Sequence, residues 1–522
     1  MKRKKLILNA LMLTFSTMTL GFISMSFRVY LSNKIGAEGM GLFQLIMSIN
    51  VFASTLAISG IRVTITRLIA EEIGKGNYSK SRNILSQGIK YALFFGFLTA
   101  ILLYNSAEFI GLNWIKDERS IISLKILSCG IPFVGICCCY NGYFYGVRKV
   151  LKSVTSDIIE SMTMMGVIVL FLLTYGHRDL EITCAAITCG MSISVLISTL
   201  YSYILYLFDK KGHKENFLHK SSKCSFGEVA SVSFPIGCSA YIQTGLRTLE
   251  DILIPNSLRM FGSSSASSLY IFGMIKGMVL PILTFPSIFL ASFSTLIIPE
   301  IAEANALNRK NLVNFIISKI MKFTLLISLF ATGLFMIYSK ELGLFLYNSL
   351  EVGIFMRILA PLIPMMFLDR IVDGSLNALD QQMSTLRYNL IDMCVRIFII
   401  LFIIPKKGID GFILVIFVST ILNSSLSINK LLKVTNLDFK VIDWVLKPLL
   451  CVVSSCYITK FIFSCLSFTS LIAQIILSLC LYSILLMLIG CIRKRDIRWF
   501  IDAFRHEVKM VNYKDISIYK FF

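Results

Sequence analysis

About fourteen apolar stretches, each of roughly twenty residues, recur along this 522-residue chain and limit its fold more than any other feature. A stretch of this length crosses a hydrocarbon core of roughly 30 Å when it forms an α-helix. Because lipid offers no hydrogen-bond partner to the backbone, only helices and closed barrels span membranes. Hydrophobic residues make up 56% of the chain, which is more than a soluble surface accommodates. The sequence therefore predicts an all-α polytopic membrane protein, with spans near residues 6–30, 40–60, 83–104, 121–143, 153–175, 183–207, 229–254, 268–298, 312–338, 352–376, 385–404, 408–430, 444–465 and 468–491.

The second half of the chain repeats the first at a fixed offset. Residues 69–71, Ile-Ala-Glu, return as residues 301–303, and 301 − 69 = 232. Glu160 returns at the same offset as Asp392. Parallel repeats of this kind occur in transporters whose two halves move about a central cavity. The repeat predicts two pseudo-symmetric six-helix lobes, followed by two additional C-terminal helices.

The repeat and the changes in composition divide the chain into five segments. We predict an N-lobe with spans 1 to 6 at 1–207 and a basic cytoplasmic linker at 208–228. A C-lobe with spans 7 to 12 follows at 229–430, then spans 13 and 14 at 431–491 and a cytoplasmic tail at 492–522.

Basic residues are concentrated in alternate loops. They precede span 1, join spans 2 and 3, join spans 6 and 7, and follow span 14. Since cytoplasmic loops carry an excess of Lys and Arg, both termini are predicted to be cytoplasmic. Much of the net charge of +21 then faces the anionic inner leaflet, so membrane lipids are the partners it predicts. Nucleic acid is not needed to explain the charge.

The sequence shows no motif for enzymatic chemistry. It lacks a Gly-x-x-x-x-Gly-Lys-Ser/Thr phosphate loop, and its four histidines have no metal-ligand spacing. The fourteen cysteines lie mostly in apolar spans, and we interpret them as small packing residues. We therefore expect no catalytic residue, no metal site and no cofactor, apart from a coupling Na⁺ or proton.

Several cations lie within apolar spans or at their ends. Arg28 lies in the outer third of span 1, Arg247 in the matching part of span 7, and Lys276 in the outer half of span 8. Arg62 and Arg67 lie at the cytoplasmic end of span 2. Charges in hydrocarbon usually face a watery cavity, and guanidinium groups bind phosphate through forked hydrogen bonds. We predict that Arg28, Arg62, Arg247 and Lys276 bind an anionic headgroup; the alternative for Arg62 and Arg67 is that they extend to lipid phosphates.

Carboxylates form a second candidate set. Glu160 and Asp392 occupy equivalent positions of the repeat, and Asp392 can pair with Arg396 one helical turn later. Glu250 and Asp251 follow Arg247 on span 7. Acidic residues at such depths can bind a proton or Na⁺ and couple it to transport. The alternative is that each forms a structural ion pair.

Two segments of the chain resemble a known family. Residues 28–45 end in Gly-Ala-Glu-Gly-Met-Gly-Leu-Phe-Gln-Leu, and residues 58–71 read Ile-Ser-Gly-Ile-Arg-Val-Thr-Ile-Thr-Arg-Leu-Ile-Ala-Glu. They are similar to the stage V sporulation protein B group of the multidrug/oligosaccharidyl-lipid/polysaccharide (MOP) flippase superfamily. The resemblance covers essentially the whole chain and implies two lobes in a V around a central cavity. It also implies that undecaprenyl-diphosphate-linked sugars are moved to the outer leaflet for spore cortex peptidoglycan synthesis.

The resemblance also bears on the site. In related lipid II flippases, arginines of spans 1, 2 and 8 are functional, which implies roles for Arg28 and Arg62 here. Span 8 has Lys276 instead of arginine, and lysine cannot form a bidentate fork. A cation site between spans 7 and 11 in some relatives would fall near Asp251 and Asp392.

Other functions stay open at this point. The chain could export a polysaccharide or a teichoic-type lipid-linked polymer. A cation-coupled multidrug exporter should have an acidic or aromatic cavity, which the arginines disfavour. A non-transporting scaffold would instead recruit cortex-synthesis membrane enzymes through its cytoplasmic loops.

Overall fold

A computed structural model describes residues 2–58, 60–175, 179–211, 225–437, 439–465 and 470–492. These residues form nineteen α-helices together with short 3-10 and π-helical segments, and no strand is found among them. The helices are α1 Lys2–Ile58, α2 Ile61–Gly74, α3 Tyr78–Phe109, α4 Ile121–Gly146, α5 Val150–Tyr175, α6 Leu180–Lys211, α7 Phe226–Met260, α8 Ser265–Phe272, α9 Leu280–Thr284, α10 Ser287–Ala306, α11 Lys310–Ile337, α12 Ser339–Tyr347, α13 Leu350–Leu359, α14 Ile363–Ala378, α15 Gln382–Phe402, α16 Ile404–Lys407, α17 Ile409–Thr435, α18 Lys447–Cys465 and α19 Leu471–Leu488. The all-α prediction is confirmed.

The predicted spans all fall on helices. Eleven segments of the described chain are long and apolar enough to cross a membrane. One of them, Ser16–Gly74, contains two predicted spans that meet at Gly36. The long helices α7 and α15 carry charged residues in their middle and stand outside the eleven. Counting these two and the division at Gly36 gives the fourteen spans predicted.

The chain divides into two compact units. The first unit comprises Phe22–Met278 and Ile397–Phe412, and the second comprises Met1–Gly21, Val279–Arg396 and Ile413–Phe522. The lobe boundaries derived from the repeat stay a prediction. Most of the predicted linker (212–224) and nearly all of the predicted tail (493–522) lie outside the described residues.

Two glycines shape the beginning of the first unit. Gly36 has φ 71° and interrupts α1, and Gly60 has φ 72° where α1 gives way to α2. Left-handed backbone is accessible to glycine without the penalty that a Cβ brings. Beyond Gly60, the buried face of α2 packs on α3 and α4 around Ile61, Ile65 and Phe144. α1 therefore reaches the interior of the unit as two segments that differ in direction.

A crossing of two glycines fixes α8 against α1 in the same unit. A Cβ added to Gly41 would lie 2.1 Å from the carbonyl oxygen of Leu269, and one added to Gly273 would lie 2.0 Å from that of Ala37. The backbones therefore touch, as small residues allow between membrane helices. Immediately after this crossing the chain forms a π-helix, Gly273–Val279, which carries Lys276.

In the second unit, α11 packs on α14 and α18, and α18 packs on α19. Two buried tyrosines join these helices: the hydroxyl of Tyr338 lies 3.2 Å from the Ser478 hydroxyl, and that of Tyr482 donates to the carbonyl of Leu326 at 2.9 Å. The predicted spans 13 and 14, α18 and α19, are thereby part of the core of this unit.

Candidate functional site: a cationic cavity in the first unit

A cavity of about 420 Å³ lies among α1, α5, α6 and α7 of the first unit. Helix α1 contributes residues from both sides of the Gly36 break, and this interrupted geometry allows one helix to form two walls. The cavity is lined by Ser24, Phe27, Arg28, Leu31, Phe43, Gln44, Met47, Ser48, Val51, Met164, Met165, Ile168, Met191, Thr244, Arg247, Thr248 and Asp251.

The polar part of the cavity carries two guanidinium groups. Arg28 of α1 is half-buried, whereas Arg247 of α7 is exposed and has no ion-pair or hydrogen-bond partner among the described residues. The structure thus brings together the two cations that the sequence placed in matching parts of spans 1 and 7. Two guanidinium groups at one cavity can each offer a phosphate parallel N–H donors.

The rest of the cavity wall is largely apolar, and its side chains are flexible. Four methionines line it, namely Met47 on α1, Met164 and Met165 on α5, and Met191 on α6. Unbranched, polarisable methionine side chains adjust to ligands of irregular shape. The cavity therefore combines cations with an apolar surface that can adjust to the shape of a ligand.

Lys276 forms an ion pair with two carboxylates. Its Nζ lies 3.0 Å from Glu250 Oε1 and 3.1 Å from Asp251 Oδ1. The sequence predicted a phosphate contact for Lys276 and cation coupling for Glu250 and Asp251. The structure places the three residues in one cluster, and Asp251 also lines the cavity.

A hydroxyl network joins this cluster to α1. Ser48 Oγ donates to Asp251 Oδ2 at 2.9 Å, and Thr248 Oγ1 donates to the Ser48 carbonyl at 3.0 Å. Both carboxylate oxygens of Asp251 therefore have protein partners, and α1 and α7 are held together beside the arginines. The sequence spacing gave no signal for these hydroxyls.

Arg62 lies apart from this cavity. It is exposed at the start of α2, and its guanidinium lies 5.2 Å from the centre of the Tyr145 ring. Arg67 is exposed as well and pairs with Glu71 at 2.9 Å. Neither arginine is among the residues that line the cavity.

Glu160 lies on α5 and is half-buried. No described residue forms an ion pair with it. One turn earlier on the same helix, Asp157 accepts a hydrogen bond from Asn141 Nδ2 at 3.4 Å.

Asp392 lies in the second unit and is buried on α15. The predicted pair with Arg396 is confirmed, with Arg396 Nη2 2.7 Å from Asp392 Oδ2. Nearby, Asn423 Nδ2 donates to Asn389 Oδ1 at 3.3 Å, and Ser427 Oγ donates to Asp373 Oδ1 at 3.2 Å.

Sequence reasoning missed an exchange between the two halves. Asn141 and Asp157 correspond, at the 232-residue offset, to Asp373 and Asn389. The amide and the carboxylate are thus exchanged between the two halves. Asn141 donates to Asp157 in the first half, whereas Asn389 and Asp373 accept hydrogen bonds from Asn423 and Ser427 in the second. Reading the polar residues in the register of the repeat would have revealed this exchange.

Known proteins resemble the chain over nearly its whole length. Residues 6–259 match the family model described as "Polysaccharide biosynthesis protein". The chain is 24% identical over 492 residues to stage V sporulation protein B of Bacillus subtilis (strain 168), covering 92% of this chain and 94% of that protein. It is 21% identical over 219 residues to the lipid II flippase MurJ of the same organism, covering 40% of each chain.

Solved structures share the fold. The lipid II flippase MurJ in an inward closed conformation matches with a TM-score of 0.62 and 18% identity, covering 92% of this chain and 97% of that chain. An inward-facing multidrug resistance MATE family transporter of the MOP superfamily matches with a TM-score of 0.61 and 11% identity, covering 80% and 94%. Sequence and fold together confirm the resemblance indicated by residues 28–45 and 58–71: this multi-pass membrane protein is similar to stage V sporulation protein B over nearly its whole length and shares the fold of MurJ and of MATE transporters of the MOP superfamily.

Proposed function

We propose that this protein is a flippase for a lipid-linked polysaccharide precursor. The observation that carries the proposal is the cavity in which Arg28 and Arg247 meet a methionine-rich wall. The phosphates of a lipid-linked precursor are anionic, which suits the two guanidinium groups, and the flexible methionine side chains can adjust to the irregular shape of the attached group. The names of the relatives, a lipid II flippase and a polysaccharide biosynthesis family, support the same class of substrate.

The proposed substrate is an undecaprenyl-diphosphate-linked sugar used for spore cortex peptidoglycan. Its headgroup would enter from the cytoplasmic side and leave toward the outer leaflet, while the polyprenyl chain stays in lipid. A charged headgroup cannot cross hydrocarbon alone, because moving an isolated charge out of water is very costly. The protein lowers this barrier by replacing water with fixed donors.

The candidate residues have different parts in this proposal. Arg28 and Arg247 hold the diphosphate within the cavity, and Arg62 contacts the headgroup from the start of α2, outside the cavity. Lys276 can bind phosphate only if its ion pairs with Glu250 and Asp251 break, so a phosphate contact by Lys276 stays a prediction. Coupling to a proton or Na⁺ through Glu160 or Asp392 also stays a prediction.

The test is the leaflet distribution of undecaprenyl-linked peptidoglycan precursor in sporulating cells. Arg28→Ala and Arg247→Ala, at normal protein levels, should each cause the precursor to accumulate in the inner leaflet. Arg28→Lys should be intermediate, because lysine keeps the charge and loses the fork. Arg67→Ala is the matched control, since Arg67 is exposed outside the cavity and pairs with Glu71.

The same experiment separates the alternatives. A normal distribution and a normal cortex in both alanine variants would remove the arginines from the mechanism and favour another substrate or a scaffold. A scaffold additionally predicts that deletions in the cytoplasmic loops abolish cortex assembly while the arginine variants remain active.

A further inference from the structure

The Glu250–Asp251 pair contains two neighbouring carboxylates and a single ammonium group. Lys276 Nζ lies 3.0 Å from Glu250 Oε1 and 3.1 Å from Asp251 Oδ1. The side chains are largely buried, at 6%, 15% and 21% exposed for Glu250, Asp251 and Lys276. One cation therefore bridges two acidic groups that would otherwise repel each other away from bulk water.

The carboxylate oxygens of Glu250 and Asp251 and the hydroxyl oxygen of Ser48 form a set of ligands typical of sites for hard cations. Each of the two carboxylates points one oxygen at the ammonium, and the Ser48 hydroxyl lies 2.9 Å from the remaining oxygen of Asp251. Carboxylate and hydroxyl oxygens are the ligands that hard metal cations prefer. The ammonium of Lys276 occupies the position between the carboxylates that a free cation would need.

The backbone around Lys276 holds it at this position. Gly273 touches α1 at Gly41, and Gly277 faces Met40, so the π-helix that carries Lys276 is packed tightly on α1. π-Helical turns inside longer helices are frequent at functional sites. A group tethered in this way is present at an effective concentration in the mM range or above, so it competes strongly with ions from solution.

We propose that the Glu250–Asp251 pair is a monovalent-cation site whose resident cation is the chain's own Lys276. The wild-type protein then needs no Na⁺ at this position, and any coupling cation must use other carboxylates. Removal of the ammonium converts the pair into a Na⁺ site. The site and its test involve only the first unit and require no assumption about the transported lipid.

The experiment uses the full chain purified in detergent, with Lys276→Met as the main variant. Thermal unfolding is measured in NaCl and in choline chloride at equal ionic strength, and binding of radiolabelled Na⁺ is measured directly. Wild type should show the same midpoint in both salts. Lys276→Met should show a saturable rise of the midpoint with Na⁺, because a ligand that binds the folded state stabilises it. Lys276→Met/Asp251→Asn should lose this response.

Lys125→Met is the matched control. Lys125 Nζ pairs with one carboxylate, Glu108, at 3.1 Å, and Glu108 is 68% exposed. Its removal should leave the unfolding midpoint independent of Na⁺, because a single exposed carboxylate does not hold a monovalent ion.

Two results would overturn the proposal. One is saturable Na⁺ binding by wild type that Asp251→Asn removes, since the carboxylates would then bind Na⁺ in the presence of Lys276. The other is a folded Lys276→Met protein that does not respond to Na⁺. If Lys276→Met does not fold in choline chloride, folding in NaCl would support the proposal. Failure to fold in NaCl as well would overturn it.

Discussion

Glu160 and Asp392 occupy equivalent positions of the repeat, yet only Asp392 has an ion-pair partner among the described residues. Asp392 pairs with Arg396 on the same helix at 2.7 Å. The position that corresponds to Arg396 in the first half is Met164, which lines the cavity.

The difference shows how one ancestral arrangement can serve two purposes. In the second half, an internal arginine neutralises the acid and leaves a structural ion pair. In the first half, Met164 occupies the corresponding position and lines the candidate site, so it does not neutralise Glu160. Among the predicted coupling residues, Glu160 is thus the one for which no described residue provides an ion pair, since Glu250 and Asp251 share Lys276.

The largest effect on stability is expected for Arg396→Ala, which tests whether Asp392 depends on its ion pair. The change leaves Asp392, which is 2% exposed, without its ion-pair partner. We expect the free energy of unfolding to fall by about 3 kcal/mol, at the low end for a broken buried pair because Arg396 is partly exposed. Thermal or denaturant unfolding in detergent measures it.

The double variant Asp392→Asn/Arg396→Ala is the control for that measurement. It should recover most of the lost stability, because the buried charge is removed together with its partner. If the double variant is as unstable as Arg396→Ala, the ion pair is not what Arg396 contributes.

A second comparison concerns the equivalent glycines Gly142 and Gly374. A Cβ on Gly142 would lie 2.9 Å from the backbone carbonyl oxygen of Arg62, whereas one on Gly374 would meet the flexible Cδ1 of Ile298 at 2.7 Å. Gly142→Ala should therefore destabilise the protein by about 1–3 kcal/mol, since backbone cannot move aside easily. Gly374→Ala should change stability by less than about 1 kcal/mol, because Ile298 can rotate and alanine favours helix. Equal effects on the unfolding midpoint would contradict the difference.

The sequence predicted the helices well and their local breaks less well. Apolar stretches of span length admit few folds in lipid, so each predicted span falls on a helix. The predicted spans 6–30 and 40–60 separate where α1 is interrupted, but the exact position at Gly36 was not predicted, because glycine is tolerated inside membrane helices and only the surrounding packing decides whether it adopts positive φ. The spacing Gly273-Met-Ile-Lys-Gly277 was the available signal for the close contact of α8 with α1.

Local pairs of the site could be predicted from the sequence, whereas distant ones could not. Asp392 and Arg396 are one helical turn apart, so their spacing alone predicts the pair. Glu250 is also one turn from Arg247, yet it binds Lys276, which is 26 residues away. Which partner Glu250 binds depends on how the π-helix that carries Lys276 packs beside α7, and residue spacing within one helix does not predict such packing.

A third test exchanges the amide and the carboxylate of the first half. Asn141→Asp/Asp157→Asn reproduces the arrangement of Asp373 and Asn389. Asn141→Asp alone places two carboxylates face to face, so each single variant should be less stable than the double. We expect a coupling energy of about 1 kcal/mol in a double-mutant cycle of unfolding. Strictly additive effects would mean that the two sites of the exchange do not interact in the folded protein.

The smallest change in stability is expected for Glu160→Gln. The amide keeps the shape of the side chain, and no described residue forms an ion pair with Glu160 that the change would break, so the free energy of unfolding should change by less than about 1 kcal/mol. Asp392→Asn is the matched variant in the second half and should be more destabilising, because it leaves Arg396 without its carboxylate. If Glu160 couples a proton or Na⁺ to transport, Glu160→Gln should remove the dependence of precursor flipping on that ion while the unfolding midpoint stays unchanged. A loss of stability as large as that of Asp392→Asn would mean that Glu160, like Asp392, is held by a charge, and the contrast between the two halves would then fail.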